Sequence, residues 1–306
     1  MGFEMRQGLN WEDIRLFVAV AELGSFSAAA RQLGLGQPTL SRRIAELEGQ
    51  LGEPLFIRRS QGCDLAPAGL RLLPAAAQMA QWAHDAEVSL ARPEERIAGK
   101  VRITAPPGLA LTLLTQVAQG LRARFPALTL EALSSTHLLD LSRGEADIAL
   151  RTQEVAEPGL ITVGKILSKP QFYGSREYAA SLPPGATLSD LALICWSEDQ
   201  GHFRVNRELH RLLPGFKPAF ASDDFNVQLG ACVQGLGAMV LYGALMSHPM
   251  LSSLVRLPVS FDSEYRGEIF IQVHKRLYGL PRIMAVLDEL DSFGRGIAEY
   301  QGPGEA

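Results

Sequence analysis

One short stretch near the amino terminus constrains the fold more than any other feature of the chain. After the turn Gly34-Leu35-Gly36, apolar residues recur at helical spacing, namely Leu40, Ile44, Leu47 and Leu51. This spacing predicts a helix over residues 37–51 whose apolar stripe, Leu51 included, faces a core. The segment before the turn, from Phe26 to Leu33, contains three consecutive alanines, which permit close helix packing. The two segments predict a helix-turn-helix.

The flanking sequence predicts the rest of a small domain. Before this pair, apolar residues at helical spacing (Ile14, Phe17, Val18 and Ala21) predict a helix that Gly24 ends, and Ser25 can cap the next one. After it, residues 55–59 predict a strand, 60–64 a turn and 65–66 a returning strand. This hairpin forms a small β wing with Arg58 and Arg59 at its tip.

An alanine-rich segment from Leu70 to about Leu90, opened by Pro67 and Gly69, predicts one long helix. Its apolar side chains suit packing against another helix, and they are Leu70, Leu73, Ala76, Ala77, Met79, Ala80 and Ala83. Two interpretations fit this pattern. The helix forms the seam of a dimer, or it lies on its own domain.

The pattern changes from Lys100 onward to alternating strands and helices, which is typical of an α/β sheet. Strands are predicted at 101–105, 128–133, 146–150, 161–167, 192–196, 238–241 and 267–274, and helices at 109–124, 224–236 and 281–299. The predicted domains are 9–66, a linker helix at 67–92, and 93–306. Within the last, one lobe comprises 100–162 with 266–306, and the other comprises 163–265.

Composition narrows the class of protein. The length of 306 residues predicts two or more domains, and a composition of 47% hydrophobic and 20% charged residues indicates a globular protein rather than a membrane protein. Its start lacks the apolar run of a secretory signal, which predicts a cytoplasmic location. The three cysteines, Cys63, Cys195 and Cys232, are far apart and have no metal-ligand spacing, so we expect neither a metal nor another cofactor.

Several ordered segments resemble one known family. They are Leu16–Leu33, Gln37–Glu48 and Leu51–Phe56, with weaker echoes at 67–69, 144–150 and 235–241. Together they resemble the LysR-type transcriptional regulators of bacteria over essentially the whole chain. The resemblance implies a multidomain fold: an all-α winged helix-turn-helix head, a long linker helix, and a two-lobed, periplasmic-binding-protein-like α/β effector domain. It also implies binding to double-stranded operator DNA, control by an unknown small-molecule effector between the lobes, and a homodimer that pairs into a tetramer, without a membrane.

The sequence departs from the family at two helix caps. Gly36 stands where Ser or Thr is usual, and Ala66 stands where Thr is usual. Glycine is a usable N-cap, whereas alanine costs about 1 kcal/mol, so we expect slight fraying at the start of the linker helix. Loss of the hydroxyl at residue 36 also puts one phosphate contact in doubt.

Helix-turn-helix proteins read base edges from the start of the second helix. Gln37 and Arg42 match adenine and guanine edges, Pro38 can touch a thymine methyl, and Ser41, Arg31 and the wing arginines suit phosphates or the minor groove. The expected DNA-binding residues are Ser25, Arg31, Gln37, Pro38, Thr39, Ser41, Arg42, Arg43, Arg58 and Arg59. For Arg42 and Arg43 the alternative is a solvated helix face.

Charge weighs against a nucleic-acid binder at first sight, because the chain carries a net charge of −4. Residues 31–71 nevertheless hold six arginines against four acidic residues, a local balance of +2, and residues 1–99 contain no lysine. We therefore expect a nearly neutral head that relies on arginine geometry.

Ligands of two-lobed α/β domains lie beyond the carboxyl ends of parallel strands. The expected effector-binding residues are Pro107, Gly108, Ser134, Ser135, Arg151, Thr152, Trp196, Phe203, Asp223 and Phe225. Pro106-Pro107-Gly108 brings no hydroxyl where the family commonly has Ser or Thr. Arg151 either pairs with an anionic effector or forms an interlobe or surface salt bridge, and the three aromatic residues either line the cleft or fill the core.

Two other classes of protein are less consistent with the sequence. An enzyme would need a nucleophile elbow, a phosphate loop or a metal motif, and none is evident; Gly235-Leu236-Gly237 lacks the third glycine of a dinucleotide site. The six histidines are scattered. A ligand-binding protein without DNA function would not explain the arginine-bearing helix-turn-helix. We therefore do not expect an enzyme.

Overall fold

The computed structural model describes residues 9–59, 62–89, 97–198, 203–243, 248–295 and 300–301. Within these ranges the chain divides into two compact units, the first comprising the residues before Ile97 together with Arg143–Glu145 and the second comprising the remainder. The predicted end of the linker helix at 90–92, the predicted boundary at 93 and the predicted helical residues 296–299 lie outside the described residues. Each unit is described by itself.

The first unit begins with three helices, α1 (Trp11–Leu23), α2 (Phe26–Leu33) and α3 (Gln37–Leu51). The Asn10 side chain caps α1 and the Ser25 side chain caps α2. Gly24 and Gly34, with φ of 58° and 66°, end these two helices in a left-handed conformation that suits glycine. The predicted helix at 37–51 has the bounds of α3.

The three helices share one core. Leu16, Phe17, Val20, Leu40 and Ile44 are each at most 1% exposed within it. One predicted member is wrong: Leu51 is 38% exposed, because α3 ends at this residue and its last turn extends past the core.

A hairpin follows α3, with β1 (Phe56–Arg59) paired antiparallel to β2 (Gly62–Leu65). A carboxylate oxygen of Glu48 accepts hydrogen bonds from the amides of Leu55 and Phe56 at 2.7 and 3.1 Å, which ties the hairpin to α3. The amide of Cys63 donates to the Gly24 carbonyl at 2.8 Å. The predicted wing is therefore present and bonded to the helices at both strands, but its second strand begins at Gly62 rather than at residue 65, because Gly62 and Cys63 pair with Arg59 and Arg58.

Helix α4 (Pro67–Ser89) packs on the same core through Ala76, which is fully buried, with Leu73 and Ala80 partly buried beside it. Leu70 and Met79 are 60% and 43% exposed. The interpretation that this helix lies on its own domain is therefore confirmed for one face, and the dimer seam remains a prediction for the exposed face. Alanine at residue 66 leaves the first turn intact, since the Leu70 amide donates to the Ala66 carbonyl at 2.9 Å.

The second unit contains two sheets. Its strands are β3 (Gly99–Ala105), β4 (Leu128–Ser134), β5 (Ile148–Arg151), β6 (Leu160–Ser168), β7 (Pro170–Ser175), β8 (Leu193–Trp196), β9 (Phe220–Ser222), β10 (Ala238–Tyr242), β11 (Leu254–Arg256), β12 (Gly267–His274) and β13 (Tyr300–Gln301). Its helices are α5 (Pro107–Leu109), α6 (Thr115–Arg124), α7 (Arg176–Ser181), α8 (Arg204–Leu212), α9 (Phe225–Val233) and α10 (Pro281–Gly294). A π-helical turn, Ala110–Leu114, joins α5 to α6.

The sheets define two lobes. The first has the strand order β13-β6-β12-β5-β3-β4 and the second β11-β7-β10-β8-β9. Strands β3, β4 and β5 run parallel, as do β10, β8 and β9. The predicted two-lobed α/β domain is confirmed. The chain crosses between sheets at Lys169, later than the predicted boundary at 162–163, because β6 pairs with β12 as far as Ser168.

Two helical glycines of the first unit provide a matched test of this packing. A Cβ at Gly69 would lie 2.3 Å from the Leu55 carbonyl oxygen, whereas a Cβ at Gly49 would meet nothing within 4 Å. We expect Gly69→Ala to destabilise the unit by about 1–3 kcal/mol, because the backbone must shift. Gly49→Ala should stabilise it by about 0.5 kcal/mol, because alanine is the better helix former.

Hydrogen-exchange mass spectrometry of peptides within residues 11–59 measures both effects in the full chain. Equal changes in protection for the two variants would contradict the close approach of α4 to Leu55.

Candidate DNA interface and ligand cleft

The start of α3 presents polar side chains to solvent. Gln37, Pro38 and Thr39 are exposed, whereas Leu40 is fully buried. Gly36 precedes the helix without a side-chain cap. The first turn of α3 therefore lies on the surface of the head, where a second molecule can contact it.

The arginines of this head have different surroundings. Arg31 and Arg42 are exposed, and the Nε of Arg42 lies 3.6 Å from a carboxylate oxygen of Glu46, both side chains being more than 60% exposed. An ion pair this exposed contributes little to stability, so the Arg42 side chain remains available for another contact. Arg43 instead forms an ion pair with Asp13 of α1 and lies 3.8 Å from Glu12, which turns its guanidinium toward α1.

The wing arginines also have partners. Arg58 Nη2 donates to the hydroxyl of Ser41 at 2.6 Å, and its guanidinium lies over the ring of Phe26, 4.7 Å from the centroid. Arg59 Nε donates to Asp64 at 2.8 Å in an exposed ion pair. Arg58 and Ser41 therefore act as one group that links β1 to α3. Ser25, the remaining expected residue, uses its hydroxyl to accept from the Ala28 amide at 3.3 Å.

The second unit contains a cavity of about 300 Å³ between its two sheets. Eight expected residues line it, namely Pro107, Gly108, Ser135, Arg151, Thr152, Trp196, Phe203 and Phe225. The exposed side chains of Ser134 and Asp223 are not among the described residues that line the cavity. The adjacent Asp224 caps α9 by accepting from the amides of Asn226 and Val227.

Arg151 is the buried cation of this cavity, with only 4% of the residue exposed. Its Nη2 donates to the Leu139 carbonyl, its Nη1 lies 3.5 Å from Gln272 Oε1, and its Nε has no hydrogen-bond partner within the described residues. The alternative of an interlobe or surface salt bridge is not observed among the described residues, because the guanidinium is buried and bonded to neutral oxygens. Burial lowers the pKa of Arg151, although Glu157 and Asp140 oppose this effect.

Aromatic rings form the apolar part of the cavity. The rings of Trp196 and Phe203 lie with centroids 4.7 Å apart, and both side chains are partly exposed. Phe225 is buried, and its ring would lie 3.1 Å from a Cβ placed on Gly108. Trp196 and Phe203 therefore line the cavity, while Phe225 both lines it and packs against Gly108.

Sequence reasoning missed a polar cluster in the wall of the same cavity. The hydroxyls of Tyr242 and Tyr265 lie 3.0 Å apart, and burial raises the pKa of both. Glu268 forms ion pairs with Lys165 at 2.8 Å and with Arg204 at 3.2 Å. Tyr242 ends β10 and Tyr265 precedes β12, so only the assembled sheets bring them together, and no local spacing could have indicated the pair.

The three cysteines are interior residues. Cys63, Cys195 and Cys232 are free and buried, and burial raises the pKa of both Cys195 and Cys232 to about 12. No group of His, Cys, Asp and Glu within the described ranges could hold a metal ion. In that same part of the chain, no helix is long and apolar enough to cross a membrane.

Family models match both units. Residues 11–70 match the bacterial regulatory helix-turn-helix protein model of the lysR family, and residues 94–294 match the LysR substrate binding domain. The second match alone covers more than half of the chain. A DNA-binding type of head and a two-lobed ligand-binding type of domain thus occur together. The chain belongs to the LysR family of bacterial regulators.

Individual relatives agree with this assignment. An HTH-type transcriptional regulator of Xanthomonas campestris pv. campestris (strain 8004) is 32% identical over 174 residues, 57% of this chain and 50% of that protein. CrgA of Neisseria meningitidis serogroup C (strain 8013) is 31% identical over 183 residues, 60% of this chain and 61% of that protein. The chain thus spans about half to three-fifths of the length of these curated relatives.

A solved structure has the same fold. The full-length CbnR structure, complexed with its target DNA, aligns with a TM-score of 0.60 and 17% identity, and the alignment covers 93% of this chain and 100% of CbnR.

The buried thiols make a testable difference between the folded and unfolded chain. A pKa of about 12 leaves roughly one thiolate in ten thousand at pH 8, so Cys195 and Cys232 should not react with Ellman's reagent in the native protein. All three cysteines should react in guanidinium chloride. Rapid native labelling of either residue, located by peptide mass, would contradict their burial.

Proposed function

We propose that this chain is a transcriptional regulator that binds operator DNA through α3 and the wing, and that a small molecule in the cavity of the second unit modulates this binding. The main support is the division of α3 into two faces. Leu40, Ile44 and Leu47 are at most 1% exposed, while Arg42 projects from the opposite side and Gln37 is exposed in the first turn, before the apolar stripe begins. A helix anchored in this way can enter the major groove without disturbing its own core.

The proposed contacts follow from exposure and chemistry. Arg42 and Gln37 suit base edges, and Pro38 suits a thymine methyl. Arg31, Thr39, Arg59 and the Arg58–Ser41 group suit the phosphate backbone. Ser25 and Arg43 contribute indirectly, through a helix cap and an ion pair to α1. The DNA in the CbnR structure supports this use of the shared fold.

The proposed effector is a small organic anion with an apolar or aromatic body. Among the described charged residues that line the cavity, Arg151, Arg204, Arg207 and Arg266 outnumber Glu268. Arg151 is buried with its Nε unpartnered, and a carboxylate could accept from it. Trp196, Phe203 and Phe225 provide the apolar surface. Pro106-Pro107 removes two backbone donors from the start of α5, so the arginine supplies the principal recognition of charge.

The proposed assembly is a homodimer through α4, with two dimers pairing into a tetramer. Leu70, Pro74 and Ala77 are exposed at spacings of four and three residues, a stripe that a second copy of the helix can cover. The effector is bound rather than consumed, so no catalytic step is assigned. Such a regulator acts in the bacterial cytoplasm, where its operator lies.

Arg42→Ala tests the DNA assignment. Loss of a bidentate contact to guanine costs about 1–3 kcal/mol, so specific affinity should fall about 10- to 100-fold while thermal stability is unchanged. The measurement is DNase footprinting on a duplex recovered from a random pool by the full-length wild-type chain.

Arg15→Ala is the matched control. It removes the same charge from α1, where Arg15 bonds to Glu12 at 2.6 Å, and it should leave the footprint unchanged. An Arg42→Ala footprint identical to that of the wild type would contradict the proposed contact between Arg42 and a base.

Arg151→Gln tests the effector assignment. Thermal shift against a panel of small aliphatic and aromatic carboxylates should identify anions that stabilise the wild-type chain, since a ligand bound only by the folded state raises the Tm. Loss of a hydrogen bond to a charged group costs about 1.5–3 kcal/mol, so the variant should bind the same anion about 10- to 100-fold more weakly.

Arg211→Gln removes a charge from α8 at an exposed pair with Glu208 and should bind normally. Trp196→Ala should also weaken binding, and it provides a test if Arg151→Gln does not fold. Unchanged affinity for the anion in both cavity variants would overturn the assignment.

A further inference from the structure

A second hydroxyl near the start of α2 makes a contact that helix formation does not require. Ser27 Oγ donates to Gln37 Oε1 at 2.9 Å, which links α2 to the first residue of α3. The cap of α2 is Ser25, whose hydroxyl accepts from the Ala28 amide. Within the described residues, the Ser27 hydroxyl makes no other hydrogen bond.

The same contact leaves one end of the Gln37 side chain free. Its oxygen accepts from Ser27, while its amide nitrogen has no partner within the described residues. Gln37 is exposed, and Ser27 is partly buried. The Ser27 hydroxyl donates its single proton to Oε1, and in this arrangement Oε1 is the end of the amide that faces inward. The NH₂ group is thereby presented outward.

We infer that Ser27 is a positioning residue that orients the amide of Gln37 and so sets the base preference at one operator position. This inference rests on the proposed DNA-binding function. With the NH₂ group outward, Gln37 donates to an acceptor in the major groove, and purine N7 is the acceptor that both A and G offer there. The amide oxygen retains one lone pair, which can accept from the N6 amino group of adenine.

The effect arises from preorganisation. A free glutamine samples many rotamers and both orientations of its amide, and binding must restrict them. A side chain already held in its binding orientation loses less conformational freedom on binding DNA. Removing the Ser27 hydroxyl therefore weakens discrimination at the base pair that Gln37 faces, while leaving contacts elsewhere intact.

The experiment compares full-length variants on a random duplex pool, with bound sequences counted by deep sequencing. The variants are Ser27→Ala, Ser27→Thr, Gln37→Ala and the double variant Ser27→Ala/Gln37→Ala. Ser27→Ala should reduce the preference at one base pair about five- to tenfold and leave the other positions unchanged. Ser27→Thr retains a hydroxyl and should retain most of the preference.

The double variant separates positioning from direct contact. If Ser27 acts through Gln37, then Ser27→Ala has no further effect once Gln37 is alanine. An equal loss in both backgrounds would mean that Ser27 contacts DNA by itself, which overturns the inference. Thermal melting of each variant controls for folding.

The outcomes also separate this inference from the proposed function. If the wild-type chain enriches no sequence, the DNA-binding proposal fails. If the wild type enriches a sequence and Ser27→Ala has the same base profile at every position, the DNA-binding proposal stands and the role of Ser27 is wrong.

Discussion

The burial of three side chains on α3 is the interaction on which the geometry of the head depends. Leu40, Ile44 and Leu47 lie in a core shared with α1 and α2, and each contributes about 1.5–3 kcal/mol when fully buried. Their spacing fixes the rotation of the helix, and that rotation places Arg42 outward, while Gln37 is exposed because it begins the helix. The polar contacts of Glu48 then bind the wing to a helix whose orientation is already set.

The arginines of the two candidate sites have opposite surroundings. In the head, Arg42 and Arg59 have exposed acidic partners, and such pairs contribute little, so both arginines can exchange them for phosphates or bases. In the cavity, Arg151 is buried against neutral oxygens, and Gln272 is itself fixed by bonds to Val155 and Thr162. An unpaired buried charge is costly, so an anion in the cavity would gain from relieving that cost.

Local patterns predicted what depends on local interactions. The bounds of α3, the Ser25 cap, the wing and strands such as β3 and β12 follow from periodicity and turn residues. Strands β7, β9 and β11 were not predicted, because they are short and their pairing is decided by the rest of the sheet.

The contacts of Arg43 with Asp13, of Arg58 with Ser41 and of Tyr242 with Tyr265 join distant segments, which no single-sequence spacing encodes. Ser134 and Asp223 are predicted in the cleft from their loops alone, but both are exposed and neither is among the described residues that line the cavity.

These long-range contacts bear on how a nearly neutral head can be selective. A head with many lysines would bind any DNA through its phosphates. This head has arginines and no lysine, and one of the arginines, Arg43, forms an ion pair with Asp13 of α1. Nonspecific affinity should therefore be modest. Selectivity then depends on a few side chains held in place before DNA arrives, as Arg58 holds Ser41 and Ser27 holds Gln37. Orientation of polar groups thereby substitutes for net charge.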